Sequence, residues 1–434
     1  MINVKLIMSK SKQLQVPKGM HDILPEEQKY WRYVIKKSES LAEDYGFEKI
    51  ETPLVEDTEL FVRSAGEGSD IIEKEIYSFK TKGGDDLALR PEGTPGAVRA
   101  YLENGMNVRP HPVKLYYYGA MFRHDQPQHG RYRQLHQFGV ETLGDASEIV
   151  DAEAIFLAYK LLNSFGLNNY NVHINSMGDS NCRPGYVRAL KDFYKNKLKK
   201  VCGQCKIRFK KNILRMMDCK EEMCRAVAKD IPPIVDFLDE ECKKHFKRVL
   251  EILDEAKVPY IMNPLLVRGL DYYTRTVFEF LPDDETKPPL AVLGGGRYDR
   301  LIDFLGGPKT PAAGWAMGIE RVIMALKENQ ISVPDIGLKP KVFLAQLGDA
   351  AKRKSLVLFE NLRKGGIEIK SSFGRDSIKS QLRIANRLGV KYTLIFGQKE
   401  ALEGTIIIRE MDTGIQETVL VEKIVDEMKK RLKK

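Results

Sequence analysis

The segment LVRGLDYYT at 266–274 sets Arg268 beside Gly269, with Tyr272, Tyr273 and Thr274 close behind. A guanidinium at a strand-to-turn junction can supply fixed positive charge to a phosphate on which negative charge develops, and a tyrosine hydroxyl can hydrogen-bond a ring nitrogen. The plainer alternative is a tyrosine-rich core strand with a surface arginine. In RPEGT at 90–94, Glu92 and Thr94 stand either side of Gly93, a carboxylate and a hydroxyl that could hold an ammonium group. Such turns are common, so this one carries little alone. LGGGRYD at 293–299 follows an apolar strand, and its glycines would let backbone approach a ligand closely. It is not a phosphate loop of the GxxxxGK[ST] kind, which the chain lacks. In GWAMGIERVIM at 314–324, Gly314 and Gly318 precede Glu320 and Arg321 on an apolar helix. An arginine buried there would be costly without an anionic partner.

These residues need a scaffold, and a hairpin is the clearest part of it. Residues 113–123 and 134–143 read as antiparallel strands flanking the polar loop HDQPQHGRYR. Alternate side chains of a strand share a face. Gln137, Gly139 and Glu141 therefore share one face, and His136, Phe138 and Val140 the other. Arg123 falls with Gly119 and Met121, so pairing across the loop could gather Arg123, Gln137 and Glu141. A guanidinium beside a carboxylate and an amide suits a zwitterion and a phosphate. A solvent-facing strand with a stray ion pair is the alternative. The loop holds His124, His129, Arg131, Tyr132 and Arg133. Those types suit phosphate contact and base stacking, or simply an exposed polar loop.

Residues 26–45 read as an amphipathic helix with Tyr30, Val34, Leu41 and Tyr45 on one stripe. A helix over 148–165 would begin at a capping-box-like pair, Asp145 and Glu148, and 172–176 is a further strand. From 180 to 250 the texture turns lysine-rich and helical, as in an insertion, before strand-like, glycine-rich text resumes at 259–298. A helix is expected at 315–327. Pro334, Gly337 and Pro340 mark a linker. Beyond it come strand 341–347, helix 350–364, strand 366–371, helix 377–388, strands 392–397 and 405–409, and helix 419–432, a compact α/β unit. The expected domains are thus 1–179 and 251–333 for a split core, 180–250 for the insertion, and 338–434 at the C-terminus.

The chain has 434 residues, enough for roughly two to three domains. No apolar window of membrane-spanning length and no export signal is evident, so a cytoplasmic protein with no membrane partner is expected. The net charge of +10 is unevenly spread: residues 338–434 carry +9 and residues 180–250 carry +10, so the remainder sums to −9. Two basic modules around an acidic core suggest a polyanion held away from the central chemistry, although solvated lysine-rich helices would look alike.

Taken in order, these segments resemble class II aminoacyl-tRNA synthetases over essentially the whole chain. EKIETPLVE (48–56) is similar to motif 1, FRHD through QFGVE (122–141) to motif 2, and GWAMGIERV to motif 3. LVRGLDYYT and GGGRYD are similar to the two signature peptides of the histidine-specific branch. The resemblance implies an α+β fold: a class II core with an antiparallel sheet flanked by helices, a helical insertion, and a C-terminal α/β anticodon-binding domain. It implies ATP with Mg²⁺, L-histidine and tRNA(His) as partners, and a homodimer with Pro53 of motif 1 at its interface. It implies that Arg123 clamps the ATP α-phosphate and the histidine carboxylate. Arg321 would hold the γ-phosphate, and Arg268 would approach the α-phosphate where related enzymes use a metal. Asp125 and Arg131 belong with the ATP site. Glu92, Thr94 and Gln137 would bind the α-ammonium, Glu141 and Tyr273 would read the imidazole, and Gly93 and Tyr272 complete the histidine site.

Two departures are visible. Asp125 stands where the family usually has Glu, which shortens any adenine contact there, and GEGSD at 66–70 is looser than the family's text. MSKSK at 8–12 is similar to the KMSKS loop of class I synthetases, but no HIGH tetrapeptide accompanies it and it reads as a tail. Five of the six cysteines lie between 202 and 242. Cys202-x₂-Cys205, then thirteen residues to Cys219 and four to Cys224, loosely fits a Cys₄ zinc site, structural and remote from the chemistry. Free thiols in a helical insertion are the alternative. Two functional rivals remain: a regulatory paralogue from histidine biosynthesis, which typically lacks the C-terminal domain and parts of the signature peptides, and a non-catalytic RNA-binding relative, which has no use for converging arginines.

Overall fold

A computed structural model describes residues 13–66, 69, 71–283, 290–334 and 340–433. The MSKSK tail, most of GEGSD and Gly337 of the linker lie outside them. The chain divides into two compact units, 1–335 and 336–434.

In the first unit the strands, in chain order, are β1 (Glu48–Lys49), β2 (Val55–Asp57), β3 (Tyr77–Lys80), β4 (Asp86–Leu89), β5 (Val113–Phe122), β6 (Gln134–Leu143), β7 (Tyr170–Ser176), β8 (Tyr260–Met262), β9 (Thr274–Pro282), β10 (Leu293–Arg297) and β11 (Ala312–Gly318). β2, β4 and β3 form a small sheet. The others form one large sheet in the order β1-β5-β6-β11-β10-β9-β7-β8, antiparallel from β5 to β7.

The period-2 pattern of β6 decides which side is which. Phe138 and Val140 point into an apolar layer with Trp315 and Met317 of β11, covered by Trp31, Ile155, Val249 and Ile323 from four helices. Each such side chain contributes roughly 1.5–3 kcal/mol on burial, which holds this face closed. On the opposite face the register aligns Gly139 with Ala316, Ala316 with Gly294, and Gly294 with Glu279. A row of residues with little or no side chain leaves an open floor.

Several expectations need correction. Residues 312–318 form the central strand β11, and the helix Ile319–Glu328 starts only after Gly318. The run is apolar because it is buried between β6 and β10, and periodicity alone does not separate such a strand from a buried helix. The helix Glu148–Ser164 has Ser147 at its N-cap position with no side-chain cap bond; Asp145 accepts hydrogen bonds from the Ser147 backbone N–H and hydroxyl at 2.8 and 2.6 Å. The N-terminal helix, Gln28–Asp44, turns on Trp31, Val34, Ser38 and Ala42. The basic middle segment holds the helices Arg183–Lys195, Gly203–Lys211, Glu222–Ala228 and Glu240–Glu255. The last of these packs Phe246, Val249 and Leu253 into the core of the main sheet.

The second unit is a five-stranded sheet. Its strands are β12 (Val342–Gln346), β13 (Ile369–Ser371), β14 (Tyr392–Phe396), β15 (Thr405–Glu410) and β16 (Gln416–Leu420), in the order β13-β12-β14-β15-β16. The expected helix 419–432 is shorter, Ile424–Lys433, because 416–420 pairs with β15 as an edge strand. That strand is mostly exposed, so it lacks the alternation that would announce it.

Candidate active site

A cavity of about 680 Å³ opens on the polar face of the large sheet, above the glycine and alanine floor. Glu92, Thr94, Arg123, Asp125, Arg131, Gln137, Arg268, Tyr273 and Arg321 all line it. Segments separated by more than two hundred residues in the chain thus meet on one surface. Glu141, Tyr272 and Gly93 stand behind this wall.

Glu141 is fully buried, and hydroxyls enclose its carboxylate. Thr94 Oγ1 donates at 2.7 Å and the Tyr117 hydroxyl at 3.2 Å, both to Oε1, while the Tyr298 hydroxyl donates to Oε2. Burial raises its pKa to about 8, against the opposing pull of those donors. Thr94 therefore serves Glu141 directly. Glu92 accepts from the Tyr272 hydroxyl at 2.9 Å, and burial raises its carboxyl above the usual range although Arg123 opposes this. Gly93 is placed for packing: a Cβ there would meet the Tyr117 ring at 2.1 Å.

The arginines are positioned by different elements. Arg123, just after β5, donates from Nε to the Pro91 carbonyl at 2.8 Å, which ties motif 2 to the RPEGT turn. Arg268 pairs with Glu279 of β9, stacks 5.4 Å from the Tyr273 ring centroid, and leaves Nε buried without a partner among the described residues. Its guanidinium occupies the space above Gly294, where a Cβ would lie 2.6 Å from Nη1. The glycines of 294–296 thus make room for an arginine and for tight sheet packing. Arg297 of the same peptide is buried on Asp151 and Asp299, a structural role. Arg321 donates to the carbonyls of Gly130 and Ala291 at 3.0 and 2.6 Å. Burial and the like charges of Arg123 and Arg131 pull it down to about 10, although Glu279 and Glu320 oppose the shift. Asp125 is paired with Arg131 at 2.9 Å. Gln137 lines the wall with Oε1 buried and unpartnered among the described residues, an acceptor that suits an ammonium group.

Sequence reasoning missed Tyr117, Tyr298, Glu279 and Glu320. Glu320 accepts from the His136 backbone N–H at 3.0 Å and meets its ring at 2.8 Å, anchoring motif 3 to β6. Tyr298 was within reach of the sequence, since it lies in LGGGRYD. The other contacts are non-local and leave no local signal.

The ligand atoms of Cys202, Cys205, Cys219 and Cys224 lie within 4.8 Å of one another. Cys202 and Cys219 also line the cavity, so the expectation of a cluster far from the chemistry is corrected. A second group, Asp179, Cys182, Asp239 and Cys242, is equally close. Its two carboxylates are engaged as turn and helix caps, accepting from Cys182 N at 3.2 Å and Cys242 N at 2.8 Å.

A model of the histidyl-tRNA synthetase family matches residues 19–322, and a model of the anticodon binding domain matches 341–431. The chain is 47% identical to a histidine–tRNA ligase of Dehalococcoides mccartyi, over 96% of this chain and 100% of that one. It is 43% identical to one from Caldicellulosiruptor saccharolyticus, with the same coverage. The solved apo histidyl-tRNA synthetase of S. aureus superposes with a TM-score of 0.79 at 37% identity, covering 96% of this chain and 99% of that one.

Proposed function

The chain belongs to the histidyl-tRNA synthetase family, and on that premise we propose how its cavity joins histidine to tRNA(His). It is a histidine–tRNA ligase that uses ATP. A histidine carboxylate oxygen attacks the ATP α-phosphorus, the bond to the β-phosphate breaks, and pyrophosphate leaves. A hydroxyl of the tRNA 3′-terminal ribose then attacks the carbonyl of histidyl-adenylate, and AMP leaves. No protein nucleophile is required. Catalysis consists of holding the reactants in line and stabilising charge on the phosphate. The regulatory reading finds no support, since 341–431 matches an anticodon binding domain and both signature peptides are in place.

One observation carries the assignment of roles: a single cavity has arginines on its wall and buried glutamates at its back. Arg123 and Arg268 would hold the α-phosphate, Arg123 also the histidine carboxylate, and Arg321 the γ-phosphate. Asp125 and Arg131 would complete the ATP site, with Mg²⁺ entering alongside ATP. Gln137 and Glu92 would take the α-ammonium. Glu141 and Tyr273 would read the imidazole, with Thr94, Tyr117 and Tyr298 holding the carboxylate in place. The experiment is amino-acid-dependent exchange of labelled pyrophosphate into ATP, which reports adenylate formation without tRNA.

The basic C-terminal unit would bind the anticodon arm and the basic insertion the acceptor side. Cytoplasmic location and a homodimer belong to the same proposal. No helix of the described residues is long and apolar enough to cross a membrane. Beside Pro53, Leu54 and Val55 are 45% and 38% exposed, apolar surface that suits a partner subunit. Sedimentation at the mass of a single chain would contradict the dimer.

The four clustered thiols fit zinc in donor type and in spacing, since tetrahedral thiolates at about 2.3 Å from a metal lie just under 4 Å apart and Cys202 Sγ stands 3.9 Å from Cys219 Sγ. Bound zinc would tie the turns at 202–205 and 219–224 together. Metal analysis should find about one zinc per chain in the purified protein and none in Cys202→Ser. A metal-free wild type would end this part of the reading.

A further inference from the structure

The insertion reaches the cavity at two places, around 202–208 and at the turn 215–221. Arg215, Asp218, Cys219 and Lys220 all line the same space as Arg123, Arg131 and Arg321. The turn is held from two sides. Cys219 is buried in the thiol cluster, and at the other end Asn212 Nδ2 donates to Asp271 at 2.9 Å while Arg215 Nη1 reaches the Arg268 carbonyl at 3.5 Å. The insertion is therefore fastened to the signature peptide that carries Arg268. Lys220, next to the anchored Cys219, forms no hydrogen bond or ion pair among the described residues. Its ammonium stands in the fields of Arg131 and Arg321 and of two carboxylates, Asp218 and Asp125. With Arg123, Arg131, Arg321 and Lys220 lining one space, the cavity suits a polyanion.

We propose that Lys220 is a further phosphate-binding residue for ATP, supplied by the insertion and held in reach by the cysteine-anchored turn. This rests on the reading of the cavity as the adenylation site. Lys220 shares the cavity with Arg131 and Arg321, the residues assigned to the ATP end, so it would meet the β- and γ-phosphates rather than the histidine end. The thiol cluster then does more than stabilise the insertion: it sets where a substrate-binding ammonium stands.

The test compares wild type with Lys220→Ala and Lys220→Arg. KM for ATP and for histidine is read from pyrophosphate exchange, and the Kd of a non-hydrolysable ATP analogue is read without histidine. Loss of one charge-assisted contact should raise KM for ATP and the analogue Kd by about tenfold, with KM for histidine changing less than about twofold. Lys220→Arg should restore most of the affinity. Unchanged ATP values in Lys220→Ala, or a rise confined to KM for histidine, overturn the proposal. If Lys220→Ala also loses metal or stability, failure of Lys220→Arg to recover analogue binding overturns it. Wild type that exchanges normally shows that any such failure concerns Lys220 alone; wild type without histidine-dependent exchange condemns the underlying reading instead.

Discussion

Arg268→Ala should slow histidine-dependent pyrophosphate exchange by about a hundred- to a thousandfold while histidine affinity falls by less than about tenfold. The asymmetry follows from where the side chain stands. Arg268 lines the cavity over Gly294, and its Nε has no partner among the described residues. A cation there gains most when charge builds on the α-phosphate, so its removal affects the transition state more than the ground state. One complication is built in: Glu279 pairs with Arg268 and would be left half-buried without that partner. Arg268→Ala combined with Glu279→Gln removes that orphan. Exchange should stay low in the double variant, because the missing element is the cation. Equal losses of exchange and of histidine affinity would show that Arg268 only binds substrate.

Glu141→Gln should raise KM for histidine on the order of a hundredfold, with KM for ATP little changed. The substitution keeps an oxygen for Thr94 and Tyr117 but removes the charge that an imidazolium needs. The pH dependence gives a sharper readout. With its pKa raised to about 8, Glu141 is largely protonated in the empty site at neutral pH. Free histidine, whose imidazole titrates near about 6.5, is largely neutral there. Binding can then form a carboxylate–imidazolium pair with no net proton exchange. Below about 6.5 a proton must be released on binding, and above about 8 one must be taken up. Histidine affinity should therefore be greatest between these values and fall by about tenfold per pH unit on either side. In Glu141→Gln the upper limit set by the carboxyl should disappear, leaving only the ligand amine's own titration. An upper limb unchanged in that variant would separate Glu141 from imidazole recognition.

The parts of this site legible in the sequence were those written in local periodicity. The alternation in 134–143 separates Gln137, Gly139 and Glu141 from Phe138 and Val140, and the pairing of Gly119 with Gln137 and Tyr117 with Gly139 realises that split. Residues 315–318 read as the start of a helix, although they belong to the strand 312–318, because a strand buried between two others loses its alternation. The hydroxyls of Tyr117 and Tyr298, the Glu279 partner of Arg268 and the Glu320 anchor of His136 were not legible, since each depends on a contact distant in sequence. The thiol cluster was legible as a donor set but not as a neighbour of the cavity. Spacing along a chain fixes which ligands can meet, and only the docking of 212–220 on 268–271 brings them to the pocket wall.

The central claim is that one cavity selects histidine and activates it. Exchange of labelled pyrophosphate into ATP, measured with wild-type protein and each amino acid in turn, tests this most directly. Exchange that appears with histidine and is at background with threonine, proline and glycine is the predicted result. Exchange supported by another amino acid instead, or none with histidine in the presence of ATP and Mg²⁺, would contradict it.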